Sequence, residues 1–251
     1  MTDIILSGCS GKMGAAVLSC AAARSDCRVV AGVDLFAPKD PDYTYAASFS
    51  ELDVMADVII DFSNPAVLDD MLDYAKEHSL PCIICTTGYD EEQKAKIAEA
   101  SKSVPVFYSG NMSLGINLII ELAKKAASVF GEDFDVEIVE QHHNQKLDAP
   151  SGTALMIADA VASVKPDSEY VYDRHSYRKK RDKREIGIHS VRGGNIVGEH
   201  EIIFAGTDEV LKISHSAHSK TVFAVGALNA AVFIVGKKPG MYNMSDLLAE
   251  K

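Results

Sequence analysis

The sequence predicts an α/β protein of two domains, in which a domain with a parallel sheet is followed by an α+β domain with a mixed, open sheet. Three observations predict this. Apolar runs alternate with helical patterns through the first half of the chain. After residue 112 this rhythm gives way to long helices and to strands joined by turns. The 251 residues are enough for two ordinary domains.

Five apolar, β-rich runs make up the strands predicted in the first half. They are hydrophobic on both faces, which is typical of a parallel sheet covered on both sides by helices. The segment 35–55 is less regular, and its stretch APKDPDYTY (37–45) is predicted as a loop. The β runs lie at 3–8, 27–34, 56–63, 81–87 and 104–109, and the helical patterns between them lie at roughly 12–24, 65–79 and 90–103.

The second half combines helices with turn-linked strands. Gly and Asn turns between β runs predict a mixed or antiparallel sheet with one open face. The predicted elements are helices at 113–130, 151–164 and 220–238, a strand at 135–143, and β runs at 186–194, 195–206 and 209–217. We expect a first domain of 1–112, to which a helical tail of 224–251 returns, and a second domain of 113–223.

Charge and composition exclude several classes of function. The formal net charge of −11 makes the protein a poor general partner for nucleic acid or an anionic membrane. No run approaches the ~18 apolar residues that a membrane-spanning helix needs, and the N-terminal stretch MTDIILSG is expected to form the first strand. Five irregularly spaced cysteines favour a reducing cytoplasm over a disulfide framework.

The glycine-rich stretch GCSGKMG (8–14) follows the first predicted strand and opens a helix. Glycines let the backbone approach a pyrophosphate, and the helix N-terminus supplies N–H groups and a positive dipole. The spacing is G-x-x-G-x-x-G, so a glycine turn without a ligand is the alternative. Asp34 ends the second strand, where an acidic residue accepts hydrogen bonds from ribose hydroxyls. Together these features favour a Rossmann-type dinucleotide-binding domain.

The residues near Asp34 favour NADH as the preferred cofactor. The Asp34 carboxylate repels the 2′-phosphate of NADPH, and the next residue, Leu35, has no charge with which to bind it. Lys12 and Lys39 can offer a positive charge, so we also expect measurable use of NADPH.

The stretch EQHHNQKLDAPSGTA (140–154) concentrates polar and titratable groups before an apolar helix. His142 and His143 end a strand and are expected to point to opposite sides, so that one supplies a proton while the other binds or orients. Lys146 adds a cation. Surface histidines in a loop are the ordinary alternative, but so many groups in fifteen residues favour a functional pocket.

The start of the helix after this loop predicts an anion site. Ser151, Gly152 and Thr153 are expected to expose the first N–H groups of the helix, which form a cradle for a carboxylate or a phosphate. The ordinary alternative is that Ser151 or Thr153 caps the helix.

This stretch resembles the signature of the 4-hydroxy-tetrahydrodipicolinate reductase family, also called dihydrodipicolinate reductase, of bacterial lysine and diaminopimelate synthesis. The stretches GCSGKMG, IIDFSNP, TTGY, GNMSLGIN, VRGGNIVGEHEIIFAG and GALNAAVF…GMYNMSDLL match the family in order, so the resemblance covers nearly the whole chain. It implies NAD(P)H-dependent reduction of a small cyclic dicarboxylate with loss of water. It also implies a cytoplasmic homotetramer built by the second domain, which binds the substrate.

The resemblance assigns roles to individual residues. It implies that His142 is a proton donor and acceptor, that Lys146 is a proton donor, and that His143 binds substrate. Gly152 and Thr153 would bind a substrate carboxylate. The cofactor-binding residues that it implies are Gly8, Cys9, Ser10, Gly11, Lys12, Met13, Asp34, Cys85, Thr86, Thr87, Ser109, Gly110, Asn111 and Met112.

Some positions depart from the family or stay outside it. Many members carry arginine where this chain has Leu35 or Asn64, which strengthens the expectation of NADH, and the role of Lys220 stays open. The basic run 178–184 is predicted as a solvated loop, and no metal site is expected.

Two other functions remain: another two-domain NAD-dependent dehydrogenase of a small carboxylate, and a non-catalytic dinucleotide sensor.

Overall fold

The computed structural model describes residues 1–176 and 178–250 and confirms the predicted α/β class. The chain divides into two compact units. The first comprises Met1–Ser113 and Lys220–Lys251, and the second comprises Leu114–Ser219.

The described strands are β1 (Thr2–Ser7), β2 (Cys27–Val33), β3 (Thr44–Ala46), β4 (Val58–Asp61), β5 (Cys82–Ile84), β6 (Pro105–Tyr108), β7 (Asp135–His142), β8 (Glu169–Val171), β9 (Glu185–Arg192), β10 (Gly198–Ala205), β11 (Val210–Ala217) and β12 (Gly240–Tyr242). The described α-helices are α1 (Lys12–Ala22), α2 (Leu68–His78), α3 (Glu91–Ala100), α4 (Leu114–Phe130), α5 (Gly152–Ala162), α6 (Thr221–Ile234) and α7 (Met244–Ala249). No described helix is long and apolar enough to cross a lipid bilayer.

The first unit contains a parallel seven-stranded sheet in the order β12-β6-β5-β4-β1-β2-β3. The inner strand β1 is apolar at its centre, where Ile4, Ile5 and Leu6 are fully buried. The strand order runs outward in opposite directions from β1 and from β4. The segments that follow these two strands therefore border the crevice where such sheets bind ligands.

Two short strands of this sheet, β3 and β12, are not predicted from the sequence. The stretch APKDPDYTY (37–45) is a loop, as predicted, except at its last two residues, which begin β3. This strand pairs with β2 through Ala31 and Thr44. The tail contributes β12, which pairs with β6 through Gly240 and Pro105. Each strand has three residues, which is too short for a period of two to be recognised.

The second unit contains a mixed five-stranded sheet in the order β11-β10-β7-β9-β8. The strands β11, β10 and β7 are antiparallel, whereas β7, β9 and β8 are parallel. The helices α4 and α5 pack on one face of this sheet, where Ile138, Ile188 and Phe204 belong to one core. The three-residue strand β8 is also missing from the sequence prediction.

Side chains along β7 alternate between the core face and the opposite face of the sheet. Val136 and Ile138 point into the core, and the same period brings Glu140 and His142 to that face. Glu140 therefore occupies a position where a third apolar residue would be expected, and its side chain is fully buried.

The basic run 178–184 is in part fixed to the sheet, which differs from the solvated loop that we predict. Arg181 is only 15% exposed and donates to the carboxylates of Asp135 and Glu137 on β7. Two backbone carbonyl groups, of Val136 and Glu185, accept from the same guanidinium. This arginine therefore attaches the segment before β9 to β7.

Candidate active site

The turn from β1 into α1 requires glycine at two positions. Gly8 has φ +81°, and a Cβ atom there would lie 2.6 Å from the carbonyl oxygen of Phe62. A Cβ atom on Gly14 would lie 2.3 Å from the carbonyl oxygen of Gly8. Both approaches are too close for any side chain, so these glycines allow the tight turn that brings backbone to the ligand crevice.

The N-terminus of α1 fits a phosphate group. Its N-cap residue is Gly11, and no side chain forms a capping hydrogen bond. The first N–H groups of a helix need a partner, and an anion satisfies them while meeting the positive end of the helix dipole. Lys12 and Met13 begin this helix, as the dinucleotide prediction requires.

Asp34, which we predict to bind the ribose, lies beside the glycine-rich turn. Its carboxylate accepts hydrogen bonds from the backbone N–H groups of Ser10 (3.1 Å) and Phe36 (3.2 Å). The Ser10 hydroxyl donates to the carbonyl oxygen of Phe36 at 2.6 Å. These bonds fix the acidic side chain at the crevice between the two segments.

A cavity of about 430 Å³ adjoins Asp34. Its lining includes Gly8, Gly11, Leu35 and Asp70 but, among the described residues, no lysine or arginine. The described lining therefore contains two carboxylates, of Asp34 and Asp70, and no cationic side chain.

A second cavity, of about 250 Å³, lies at the carboxyl ends of β4, β5 and β6. Thr86 is buried beside it. All the other residues that we predict for cofactor binding in the 85–87 and 109–112 turns line this cavity. Its lining residues are Met13, Phe62, Cys85, Thr87, Ser109, Gly110, Asn111, Met112 and Phe223.

Cys9 and Cys85, the two cysteines that we predict for cofactor binding, are free thiols. Burial raises the pKa of Cys9 and raises that of Cys85 well above its ordinary value, so both thiols are neutral at physiological pH. The Cys9 side chain is 2% exposed and packs close to Gly32.

Asp61 is a buried polar residue that sequence reasoning leaves without a role. It ends β4, and its carboxylate accepts hydrogen bonds from the hydroxyl groups of Ser63 and Tyr89. A carboxylate at the end of an apolar strand is the sequence signal that could have identified it. These bonds hold the 61–63 turn at the edge of the ligand crevice.

In the second unit the central feature is a carboxylate that holds His142. Nδ1 of His142 lies 2.6 Å from Oε2 of Glu140. Arg192 donates to both Glu140 oxygens, at 2.9 and 2.8 Å, and the Ser151 N–H donates at 3.1 Å. Burial raises the pKa of Glu140, but hydrogen bonds from Arg192, Ser190 and His142 outweigh it and lower the pKa to about 2. Glu140 is therefore ionised.

His142 is half-buried beside this carboxylate. Burial lowers the pKa of His142 from its ordinary value, and the hydrogen bond with Glu140 opposes that shift. Across the strand pair, a Cβ atom on Gly198 would lie 3.1 Å from Nε2 of His142. The absence of a side chain at Gly198 therefore leaves room for the ring. His143 lies outside β7, which ends at His142, so the expectation that both histidines belong to the strand is wrong.

Lys146 lies in the loop between β7 and α5. Its Nζ atom forms an ion pair of 2.8 Å with Asp148, and its backbone N–H donates to the His143 carbonyl. The hydrogen bond from Lys146 lowers the pKa of Asp148. Asp148 is an acidic partner that sequence reasoning does not identify.

The predicted anion cradle is smaller than we expect from sequence. Ser151 is the N-cap of α5, its N–H donates to Glu140, and its hydroxyl accepts from the Ala154 N–H. The expectation that Ser151 offers its N–H to a ligand is therefore wrong. Gly152 begins the helix in open space, and Thr153 follows it.

His200 is another residue that sequence reasoning leaves aside. It lies on β10, is 4% exposed, and its ring centroid is 5.3 Å from that of His142. Burial lowers the pKa of His200 to about 4, so the ring is neutral at pH 7, and its Nε2 atom lies 3.1 Å from the Ser151 hydroxyl. The described residues contain no group of three or more His, Cys, Asp or Glu side chains that could hold a metal ion.

Comparison with known proteins covers the whole chain. The family model for the dihydrodipicolinate reductase N-terminus matches residues 2–112, and the model for its C-terminus matches residues 115–248. The chain is 49% identical to the 4-hydroxy-tetrahydrodipicolinate reductase of Clostridium novyi, with 100% of both chains covered. It is 51% identical to that of Caldanaerobacter subterraneus, with 99% of this chain and 98% of the relative covered.

Solved structures share the fold. A dipicolinate-bound dihydrodipicolinate reductase from Paenisporosarcina sp. TG-14 has a TM-score of 0.82 at 24% identity, with 97% of each chain covered. A myo-inositol dehydrogenase from Corynebacterium glutamicum has a TM-score of 0.62 at 17% identity, with 99% of this chain and 93% of that one covered. Because both family models and the full-length relatives match it, the chain belongs to the dihydrodipicolinate reductase family.

Proposed function

We propose that this chain reduces 4-hydroxy-tetrahydrodipicolinate with NADH as the preferred cofactor and His142 as the proton donor. The chain is an oxidoreductase of the diaminopimelate and lysine pathway, as its family and its relatives establish. The observation that carries the residue roles is the hydrogen bond of His142 to an ionised, buried carboxylate, Glu140. Such a bond orients a histidine for proton transfer.

The first unit is the proposed dinucleotide-binding domain. The N-terminus of α1 would hold the pyrophosphate, Asp34 the ribose hydroxyls, and the 85–87 and 109–112 turns the rest of the cofactor. A bound nicotinamide supplies the hydride, and the protein supplies orientation and charge. The absence of a cation among the described residues that line the cavity beside Asp34 supports NADH over NADPH, and we propose that NADPH is also used.

The second unit is the proposed substrate-binding domain. The substrate carries two carboxylates, which need cations or N–H donors. Gly152 and Thr153 at the start of α5, together with Lys146 and His143, supply both kinds of group. The reaction adds a hydride and a proton and releases water, so a positioned acid is needed, and we assign this role to His142, with Lys146 as a further donor.

We also propose that the protein is a cytoplasmic homotetramer built through the sheet of the second unit. The face of this sheet opposite α4 and α5 includes Val139 and Ile203, both half-buried within the chain. A tetramer would bury this face. A monomer in sedimentation at micromolar protein concentration would refute the assembly.

A coupled assay tests the reaction. The unstable hydroxy-dicarboxylate is made in place from pyruvate and aspartate semialdehyde by its synthase, and NADH oxidation is followed with and without the chain. We expect oxidation that depends on both precursors. Oxidation with another small carboxylate alone would identify a different dehydrogenase, and NADH binding without turnover would identify a sensor.

A further inference from the structure

We infer that Glu140 is a positioning residue that, held by Arg192, determines which nitrogen of His142 carries the proton. The inference rests on the role proposed for His142. An ionised carboxylate only accepts hydrogen bonds, so the Nδ1 atom at 2.6 Å must be the donor. The neutral ring is therefore protonated on Nδ1, and Nε2 is the nitrogen that gains and loses the catalytic proton.

The contacts of Glu140 connect the separate parts of the site. One oxygen accepts from His142 and Arg192, and the other accepts from Arg192 and the N–H of Ser151, the N-cap of α5. Arg192 also donates to the carbonyl oxygen of Asp148 at 2.7 Å, in the loop that carries Lys146. The fully buried carboxylate thus touches the histidine, the substrate-binding helix and, through Arg192, the lysine loop.

Charge around His142 makes its protonated form depend on this carboxylate. Arg192 on β9 and Lys146 in the loop both disfavour an imidazolium. His200 on β10 is neutral and approaches edge-on. Among these neighbours Glu140 is the group that favours the protonated ring. Gly198 on β10 places no side chain over Nε2, which keeps that nitrogen available.

The first test is the pH profile of Glu140→Gln, which keeps the shape of the side chain and removes its charge. We expect kcat at neutral pH to fall at least about tenfold. The alkaline limb of the profile should move to lower pH, because the imidazolium loses its counter-charge. The KM for NADH should not change. If the alkaline limb of the kcat profile stays at the same pH as in the unaltered protein, Glu140 has only a structural role and the inference is overturned.

Glu137→Gln is the matched control. Glu137 lies on the opposite face of β7, where it pairs with His189 and Arg181. Its loss removes a carboxylate from the same strand without touching His142. We expect it to change thermal stability and to leave the pH profile of kcat unchanged. A shift equal to that of Glu140→Gln would mean that any charge on β7 has this effect, which also overturns the inference.

A second measurement uses the unaltered protein, so it does not depend on the folding of a variant. ¹⁵N-histidine spectra distinguish the two neutral tautomers, and comparison with His142→Gln assigns the signal. We expect protonation on Nδ1, and a neutral ring protonated on Nε2 overturns the inference. If His142→Gln keeps near-normal turnover, the proposed function fails. If His142→Gln is inactive but Glu140→Gln leaves the alkaline limb of the kcat profile at its original pH, only the inference about Glu140 fails.

Discussion

Nζ of Lys146 lies 2.8 Å from Oδ1 of Asp148, so the cation proposed to meet the substrate already has a partner in the same loop. The Lys146 side chain is 21% exposed, whereas that of Asp148 is 58% exposed. A substrate carboxylate must therefore compete with a largely solvent-exposed acid. Exposed ion pairs contribute only ~0.2–1 kcal/mol, so a substrate carboxylate can replace Asp148 as the partner of Lys146 at small energetic cost.

Removal of this competitor should strengthen substrate capture. We expect Asp148→Asn to lower the KM for the dicarboxylate by about two- to fivefold, which corresponds to the free energy of an exposed ion pair. The KM for NADH should stay constant. Initial rates over a range of substrate concentrations check this, and a raised KM would show that Asp148 instead positions Lys146 for the substrate.

Loss of the proton donor should affect turnover more than binding. We expect His142→Gln to lower kcat at least about a hundredfold, since a general acid typically contributes ~10²–10⁴-fold. NADH affinity, measured by fluorescence titration, should be little changed. His143→Gln is the control, because its proposed role is binding and its main effect should be on the substrate KM. Near-normal turnover in His142→Gln contradicts the assignment.

The anion cradle should determine substrate affinity. We expect Lys146→Ala and Thr153→Val to raise the substrate KM, because a charge-assisted hydrogen bond contributes roughly 1.5–3 kcal/mol. Lys146→Ala should also slow protonation. Lys125→Ala, an exposed lysine on α4, is the control for charge alone. An unchanged KM in both cradle variants would show that the substrate binds elsewhere.

Cofactor choice should follow the residues at the end of β2. We expect NADH to be preferred by about tenfold in catalytic efficiency, since a tenfold ratio needs only about 1.4 kcal/mol of repulsion between Asp34 and a 2′-phosphate. Leu35→Arg should narrow or invert the ratio by offering the phosphate a bidentate partner. Leu35→Gln is the uncharged control. Equal efficiency with NADPH in the unaltered protein would mean that Lys12 or Lys39 outweighs Asp34.

The buried His200 should make stability fall in mild acid. Burial holds its pKa at about 4 in the folded protein, against an ordinary value of 6.5. Between these pH values His200 is protonated in the unfolded chain but neutral in the folded chain. The free energy of unfolding therefore decreases as pH falls from 6.5 towards 4. The full loss corresponds to roughly 3 kcal/mol.

Urea unfolding at pH 7 and pH 5 checks the prediction for His200. We expect His200→Gln to lose less stability between the two values than the unaltered protein, whatever its stability at pH 7. His175→Gln, at an exposed position, should behave as the unaltered protein does. An identical loss in His200→Gln would show that other groups control the acid response.

Local patterns were enough to predict the alternating core of the first unit, the glycine turn and Asp34. The strands of a parallel sheet are buried on both faces. Each of β1, β2 and β4 can therefore be recognised from its own sequence as a largely apolar run. The glycine spacing is equally local, because the turn and the start of α1 are consecutive in the chain. The short strands β3, β8 and β12 were missed, because three residues are too few for a strand pattern to be recognised.

The proposed catalytic histidine could be found from sequence, but its environment could not. Glu140 and His142 stand two apart on one face of β7, yet Arg192 is contributed by β9, far along the chain. Only the parallel register of the two strands, which pairs His142 with Arg192, brings the guanidinium to the carboxylate. The sequence alone thus determined the fold class, the family and the residue proposed to carry the proton. Tertiary structure decided its partners, because a buried charge is stable only where distant strands supply its hydrogen bonds.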